Sequence, residues 1–111
     1  MSETTLAQRV LVESQEPRRT WATARSISGL EYLRACVVGS MPTASIAALM
    51  DVDGVVFDGS GVVFRGRPDD RHFNPIGSVH GGFAATLLDS ALGSAVHSTL
   101  PAGVDYRTVD L

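Results

Sequence analysis

The chain has 111 residues, of which 44% are hydrophobic and 19% charged, and its formal net charge is −3. That composition describes one globular domain at most, and it is not the composition of a disordered chain. The acidic balance gives no basic footprint for nucleic acid or an anionic membrane surface. No apolar run approaches the roughly 20 residues that a membrane-spanning helix needs.

All 9 basic residues are Arg, so a lysine nucleophile or Schiff base is excluded. Cys36 is the only cysteine, which excludes an intramolecular disulfide and a Cys-rich zinc site. It sits in the apolar run 33–38 and reads as a small buried hydrophobe rather than a reactive thiol. The opening Met1-Ser-Glu-Thr-Thr has no charged region followed by an apolar one. A signal peptide is therefore not expected, and the expected location is cytoplasmic.

In chain order, residues 1–27 read as a mobile N-terminal arm, with Arg18 and Arg19 solvated. Within the arm, Leu6, Val10 and Leu11 have the spacing of a short helix. Residues 28–111 read as a single domain. It opens on Ser28-Gly-Leu-Glu31, a capping-box pattern, followed by Leu30, Leu33, Arg34 and Val37 at helical spacing. Gly39 suits the end of that helix, and 44–50 can form a second short one after Pro42. Val55-Val56-Phe57 and Val62-Val63-Phe64 flank Asp58-Gly-Ser-Gly61, which predicts a β-hairpin. Arg65 to Pro75 reads as a polar loop with a solvated His72. From Gly81 a helix is expected, because Phe83, Leu87, Leu88, Ala91, Leu92, Ala95 and Val96 recur with its period. His97 falls near its C-terminus, where the helix dipole favours a charged imidazole. Pro101 and Gly103 end the helix, and residues 106–111 read as the start of another strand.

Residues 74–89 carry the chemistry. Gly81 and Gly82 open a helix directly after His80. The first N–H groups of a helix lack internal partners, and the dipole adds partial positive charge. Glycine leaves that backbone unobstructed, so an oxyanion site is expected there. Asn74 lies six residues before His80 and offers an amide as a second donor. Asp89 lies nine residues beyond His80, which is about 13–14 Å along a helix and about half a turn around it. It cannot reach a substrate held at the start of its own helix. Among apolar neighbours a carboxylate is costly unless it has a role. That role requires a second protomer, with two antiparallel copies of the helix bringing each Asp89 near the other chain's Gly81.

Asn74, His80-Gly81-Gly82 and Asp89 at these spacings, then a small-residue helix and Leu100-Pro-Ala-Gly103 through Thr108-Val-Asp-Leu111, resemble the PaaI-type acyl-CoA thioesterases of the hotdog superfamily. The similarity covers roughly 28–111 and is most specific over 74–89. It implies an α+β hotdog fold, an antiparallel sheet wrapped around a central helix. It also implies hydrolysis of acyl-CoA to a carboxylic acid and free CoA without metal or cofactor. The implied roles are Gly81 N–H and Asn74 polarising the carbonyl, His80 orienting the loop, and Asp89 activating water or attacking as nucleophile. Thr108 matches the position that holds the water or the carboxylate. The implied assembly is a homodimer or homotetramer with shared sites. The family's further strands have no counterpart by residue 111, so the expectation is a C-terminally truncated domain.

Three other readings compete. A hotdog dehydratase acting on a 3-hydroxyacyl thioester also uses a His and an acidic residue. A non-catalytic remnant or interaction fragment would keep the motif without the scaffold. Asp51-Val-Asp-Gly54 resembles the signature of haloacid-dehalogenase-type phosphatases, with Mg²⁺, but it lacks their lysine and reads as a polar turn entering a strand. Asp58-Gly-Ser-Gly61 reads as a turn and not a calcium loop. His72, His80 and His97 have no compact metal-ligand spacing.

Overall fold

The computed structural model describes residues 17–57 and 60–111. Its elements run α1 (Pro17–Ala24), α2 (Gly29–Val37), α3 (Ser45–Leu49), β1 (Val52–Phe57), β2 (Val62–Gly66), a 3₁₀ turn (Asp70–His72) and α4 (Gly81–His97). The architecture is α+β, a two-stranded antiparallel sheet with helices packed on it. Among the described residues, no helix is long and apolar enough to cross a membrane.

Residues 17–24 are helical, where composition predicts a mobile arm. Pro17 occupies the first helical position, where its missing N–H costs nothing. Ala24 is buried, and Trp21 packs against His97 with ring centroids 5.9 Å apart. Arg25 ties this helix to the segment after α4. Its Nε meets Asp105 Oδ1 at 2.8 Å, its Nη2 donates to the Gly103 carbonyl at 2.7 Å, and the Gly103 N–H donates to its carbonyl at 2.9 Å. Leu6, Val10 and Leu11 lie outside the described residues.

Helix α2 has the predicted capping box. Glu31 N–H donates to Ser28 Oγ at 3.2 Å, and Ser28 N–H donates to Glu31 Oε1 at 3.1 Å. The Ser28 backbone bond is the main reason the Glu31 carboxyl lies below its ordinary pKa. At the other end Gly39 adopts φ +79°. Ser40 N–H bonds the Ala35 carbonyl at 2.9 Å and Gly39 N–H bonds that of Cys36 at 3.2 Å, a Schellman closure.

The hairpin pairs Phe57 with Val62, Val55 with Phe64 and Val52 with Gly66. The register shifts between Val52 and Gly54, so Asp53 is an extra residue on β1. This bulge restores the alternation and lets Val52 face inward with Val55 and Phe57. Asp58 and Gly59 of the connecting turn lie outside the described residues. β1 begins after Asp51, which has φ +48°, and the preceding element is helix α3. A phosphatase nucleophile would need a strand ending at Asp51, so that reading fails.

Helix α4 lies across β2. A Cβ at Gly66 would stand 2.9 Å from Phe83 Cζ, so the glycine admits the ring. The face of α4 toward the sheet and α2 is the small-residue one: Gly93, Ser94 and His97 are buried with Phe83. Tyr106 packs on Gly93, and His97 packs on Gly29, where a Cβ would overlap the His97 carbonyl. Such close approach excludes large side chains. Of the apolar pattern in the sequence, Phe83 and Leu87 pack toward Gly66 of β2, whereas Leu88, Leu92 and Val96 turn outward, 59%, 57% and 50% exposed. Residues 104–111 form no strand. Tyr106 packs on Gly93 and Thr108 bonds Asp89, so this segment is held against α4, and the two described strands pair only with each other.

Two histidines differ from expectation. His72 is buried, not solvated. Its Nδ1 accepts from Asp69 N–H at 3.0 Å, its Nε2 meets the Leu49 carbonyl at 3.2 Å, and its ring packs 4.8 Å from Phe83. These contacts fit the neutral Nε2–H tautomer. His97 is buried too, between Trp21, Tyr32 and Tyr106. Burial pushes its pKa down, so desolvation outweighs the dipole at the end of α4.

Candidate active site

The site begins with a short ordered loop. Phe73 bridges Val79, and His80 N–H donates to the His72 carbonyl at 2.7 Å. Between them Asn74 closes the turn. Its Oδ1 accepts from the N–H groups of Ile76 and Ser78, both at 3.1 Å, and its Nδ2 donates to Ser78 Oγ at 2.9 Å. Gly77 supplies the left-handed position, φ +84°. Asn74 is thus first a loop-builder, and an amide has two N–H donors. One is used on Ser78. Below the loop, Arg71 grips Asp69 and holds its carboxyl down to about 2, which fixes the 3₁₀ turn carrying His72.

His80 is the N-cap of α4. Its Nδ1 accepts from Gly82 N–H at 2.8 Å. The acceptor role puts the proton of a neutral ring on Nε2. A Cβ at Gly82 would stand 2.9 Å from His80 Nδ1, so the capping ring needs that glycine. Gly81 is different. A Cβ there would meet nothing within 4 Å, and its φ is not left-handed. Nothing within the chain demands glycine at 81. It is exposed and opens the positive end of a 17-residue helix.

Asp89 and Thr108 meet elsewhere. Thr108 Oγ1 donates to Asp89 Oδ1 at 2.6 Å across a separation of 19 residues. Asp89 is half-buried on the flank of α4. The Tyr106 phenol is pushed up, first by burial and then by the charge of Asp89. The five residues singled out in the sequence therefore form two groups, Asn74–His80–Gly81 and Asp89–Thr108. Within one chain they stand on opposite parts of α4, about 12 Å of helix rise from Gly81 to Asp89.

Next to Asp89 in the chain, Ser90 lines a feature the sequence did not reveal, a partly open cavity of about 160 Å³ between α2, α3, the hairpin and α4. Its hairpin wall is apolar. Its α4 wall carries Thr86, Ser90 and Ser94, and Tyr106 closes one side. Cys36 lines it as well, and burial raises its thiol pKa, so the group is not an activated thiolate. Burial likewise raises the Tyr32 phenol. The i, i+4, i+8 spacing of Thr86, Ser90 and Ser94 was the available signal for this wall, hidden by the stronger leucine pattern. Among the described residues, no group of three His, Cys, Asp or Glu side chains is placed to hold a metal ion.

No family model, curated protein or solved structure matches the chain.

Proposed function

We propose that the chain hydrolyses acyl-CoA thioesters in a hotdog-type arrangement whose sites are shared between protomers. The carbonyl oxygen takes the Gly81 N–H of one chain, with Asn74 as the neighbouring donor. Water is activated by Asp89 of the other chain, whose Oδ1 is held by Thr108 while Oδ2 addresses the water. His80 keeps the donor end in shape by capping α4. The observation that carries this reading is the 2.6 Å bond between Thr108 and Asp89, which joins an acid and a hydroxyl with no evident reason to meet in a merely structural helix. The open space at Gly81 supports the other half.

The test is release of free thiol from acyl-CoA by wild type and by Asp89→Asn. Wild type is expected to turn over. The variant should lose about 10²–10⁴-fold in kcat, the usual worth of a general base, with little change in KM. Turnover of a 3-hydroxyacyl thioester without thiol release would instead establish a dehydratase. A folded wild type inactive on both would leave the interaction-fragment reading.

A further inference from the structure

The proposed chemistry leaves His72 without a task, yet this buried residue is bound on several sides at once. Its Nδ1 accepts from Asp69 N–H at 3.0 Å, inside a turn that Arg71 fixes by gripping the Asp69 carboxylate. Its Nε2–H donates to the Leu49 carbonyl at 3.2 Å. Leu49 ends α3, where the last carbonyls lack partners inside the helix. The His72 carbonyl accepts from His80 N–H at 2.7 Å, and its ring lies 4.8 Å from that of Phe83. His80 and Phe83 stand on either side of Gly81 in the chain. One residue therefore ties the start of α4 to the end of α3. Packing on Phe83 requires only an apolar ring, and burying an imidazole adds a desolvation cost that its two hydrogen bonds must offset. What the bonds add over packing is direction. They set the His72 carbonyl relative to α3 and, through it, His80 and the first turn of α4.

We propose that His72 is a positioning residue for the Gly81 donor: anchored on the Leu49 carbonyl, it holds His80 and the first turn of α4 in the orientation the oxyanion requires. The assignment of an oxyanion to Gly81 rests on the hydrolytic reading above; the anchoring of the α4 start by His72 does not. Charge grows on the carbonyl oxygen only as the transition state forms, so a loosened donor lowers kcat and leaves substrate binding alone.

Three substitutions in the full chain take the anchor apart. His72→Phe keeps a ring on Phe83 and loses both nitrogens. His72→Gln places an amide N–H where Nε2 stood and keeps the Leu49 bond, whereas His72→Asn places an amide oxygen where Nδ1 stood and keeps only the Asp69 bond. Thiol release by His72→Phe should fall about 10–100-fold in kcat, the effect of a misplaced donor, with KM within about twofold. His72→Gln should regain most of that loss and His72→Asn little of it. A purely structural role would instead lower the thermal midpoint and leave kcat per folded molecule unchanged. That result, or equal kcat for the Gln and Asn variants, overturns the proposal, and the second comparison stands even if His72→Phe does not fold. Amide hydrogen exchange tests the anchor without substrate. The His80 N–H should exchange about tenfold faster in His72→Asn than in His72→Gln, with the Leu33 amide of α2 unchanged. Equal exchange at His80 overturns the anchor whatever the assay gives. A wild type that releases no thiol while the exchange difference holds would sink hydrolysis alone.

Discussion

Gly81 and Gly82 are adjacent, yet a methyl group would meet His80 at one and empty space at the other. The two substitutions should therefore separate structure from chemistry. Gly82→Ala displaces the His80 cap and should be less stable than Gly81→Ala by about 1 kcal/mol, the usual worth of an N-cap. Gly81→Ala should leave the thermal midpoint unchanged or slightly raised, because alanine is the better helix former. It should nevertheless lower thioester turnover, since its methyl group crowds the approach to the N–H. A melt and a thiol-release assay on each variant check both halves.

His97 is a residue whose environment reversed its expected behaviour. In the sequence it stands where a helix dipole stabilises the imidazolium; in the fold, three aromatic rings surround it. Burial lowers its pKa below the ordinary 6.5. The unfolded chain therefore takes up the proton first, so stability is full above about pH 6.5 and declines as pH falls through that value. His97→Phe keeps a ring in the cluster and removes the titration. Its thermal midpoint should fall less than that of wild type between pH 7 and pH 5. Equal slopes for the two proteins would contradict this assignment.

At the scale of elements, local signals were legible wherever they depended on neighbours in the chain. The Ser28–Glu31 box, the Gly39 closure and the paired valine-rich runs each act over a few residues, and all are present. What sequence missed depends on distant partners. The bulge at Asp53 appears only when Val52 must face the same way as Gly66 across the sheet. Helix α1 is held by contacts to His97 and Gly103, some 80 residues away in the chain. The apolar period of α4 marks large residues, whereas its contacts with α2 and Tyr106 are made by Gly93 and His97. Gly29 is the sharpest case. Its N–H donates to the Leu100 carbonyl at 3.0 Å, and a methyl group there would collide with the His97 backbone. Gly29→Ala should force α2 and α4 apart and destabilise by about 2–3 kcal/mol, the upper range of overpacking. Ser28→Ala, one residue earlier, should cost only about 1 kcal/mol through the lost cap. Denaturant titration ranks the two.

For the whole molecule, the arrangement of the site says more than its inventory. Asn74, His80, Gly81 and Asp89 were singled out by their spacing and Thr108 by the resemblance, and the fold joins Thr108 to Asp89 by a hydrogen bond. The cavity beside them was not legible, because its walls come from four elements. The donor end and the acid end lie on different faces of one helix, and the outward Leu88–Leu92–Val96 stripe leaves α4 apolar surface for a neighbouring copy in the shared-site reading. If each site takes Gly81 from one protomer and Asp89 from the other, two differently damaged chains can repair each other. Gly81→Pro removes the N–H donor at a helix position that tolerates proline, and Asp89→Asn removes the base. Each variant alone should be inactive. Mixed and refolded together, they should regain roughly a quarter of wild-type thiol release, since half the dimers are mixed and each carries one intact site. No recovery from two folded, associating variants of an active wild type would contradict the shared site.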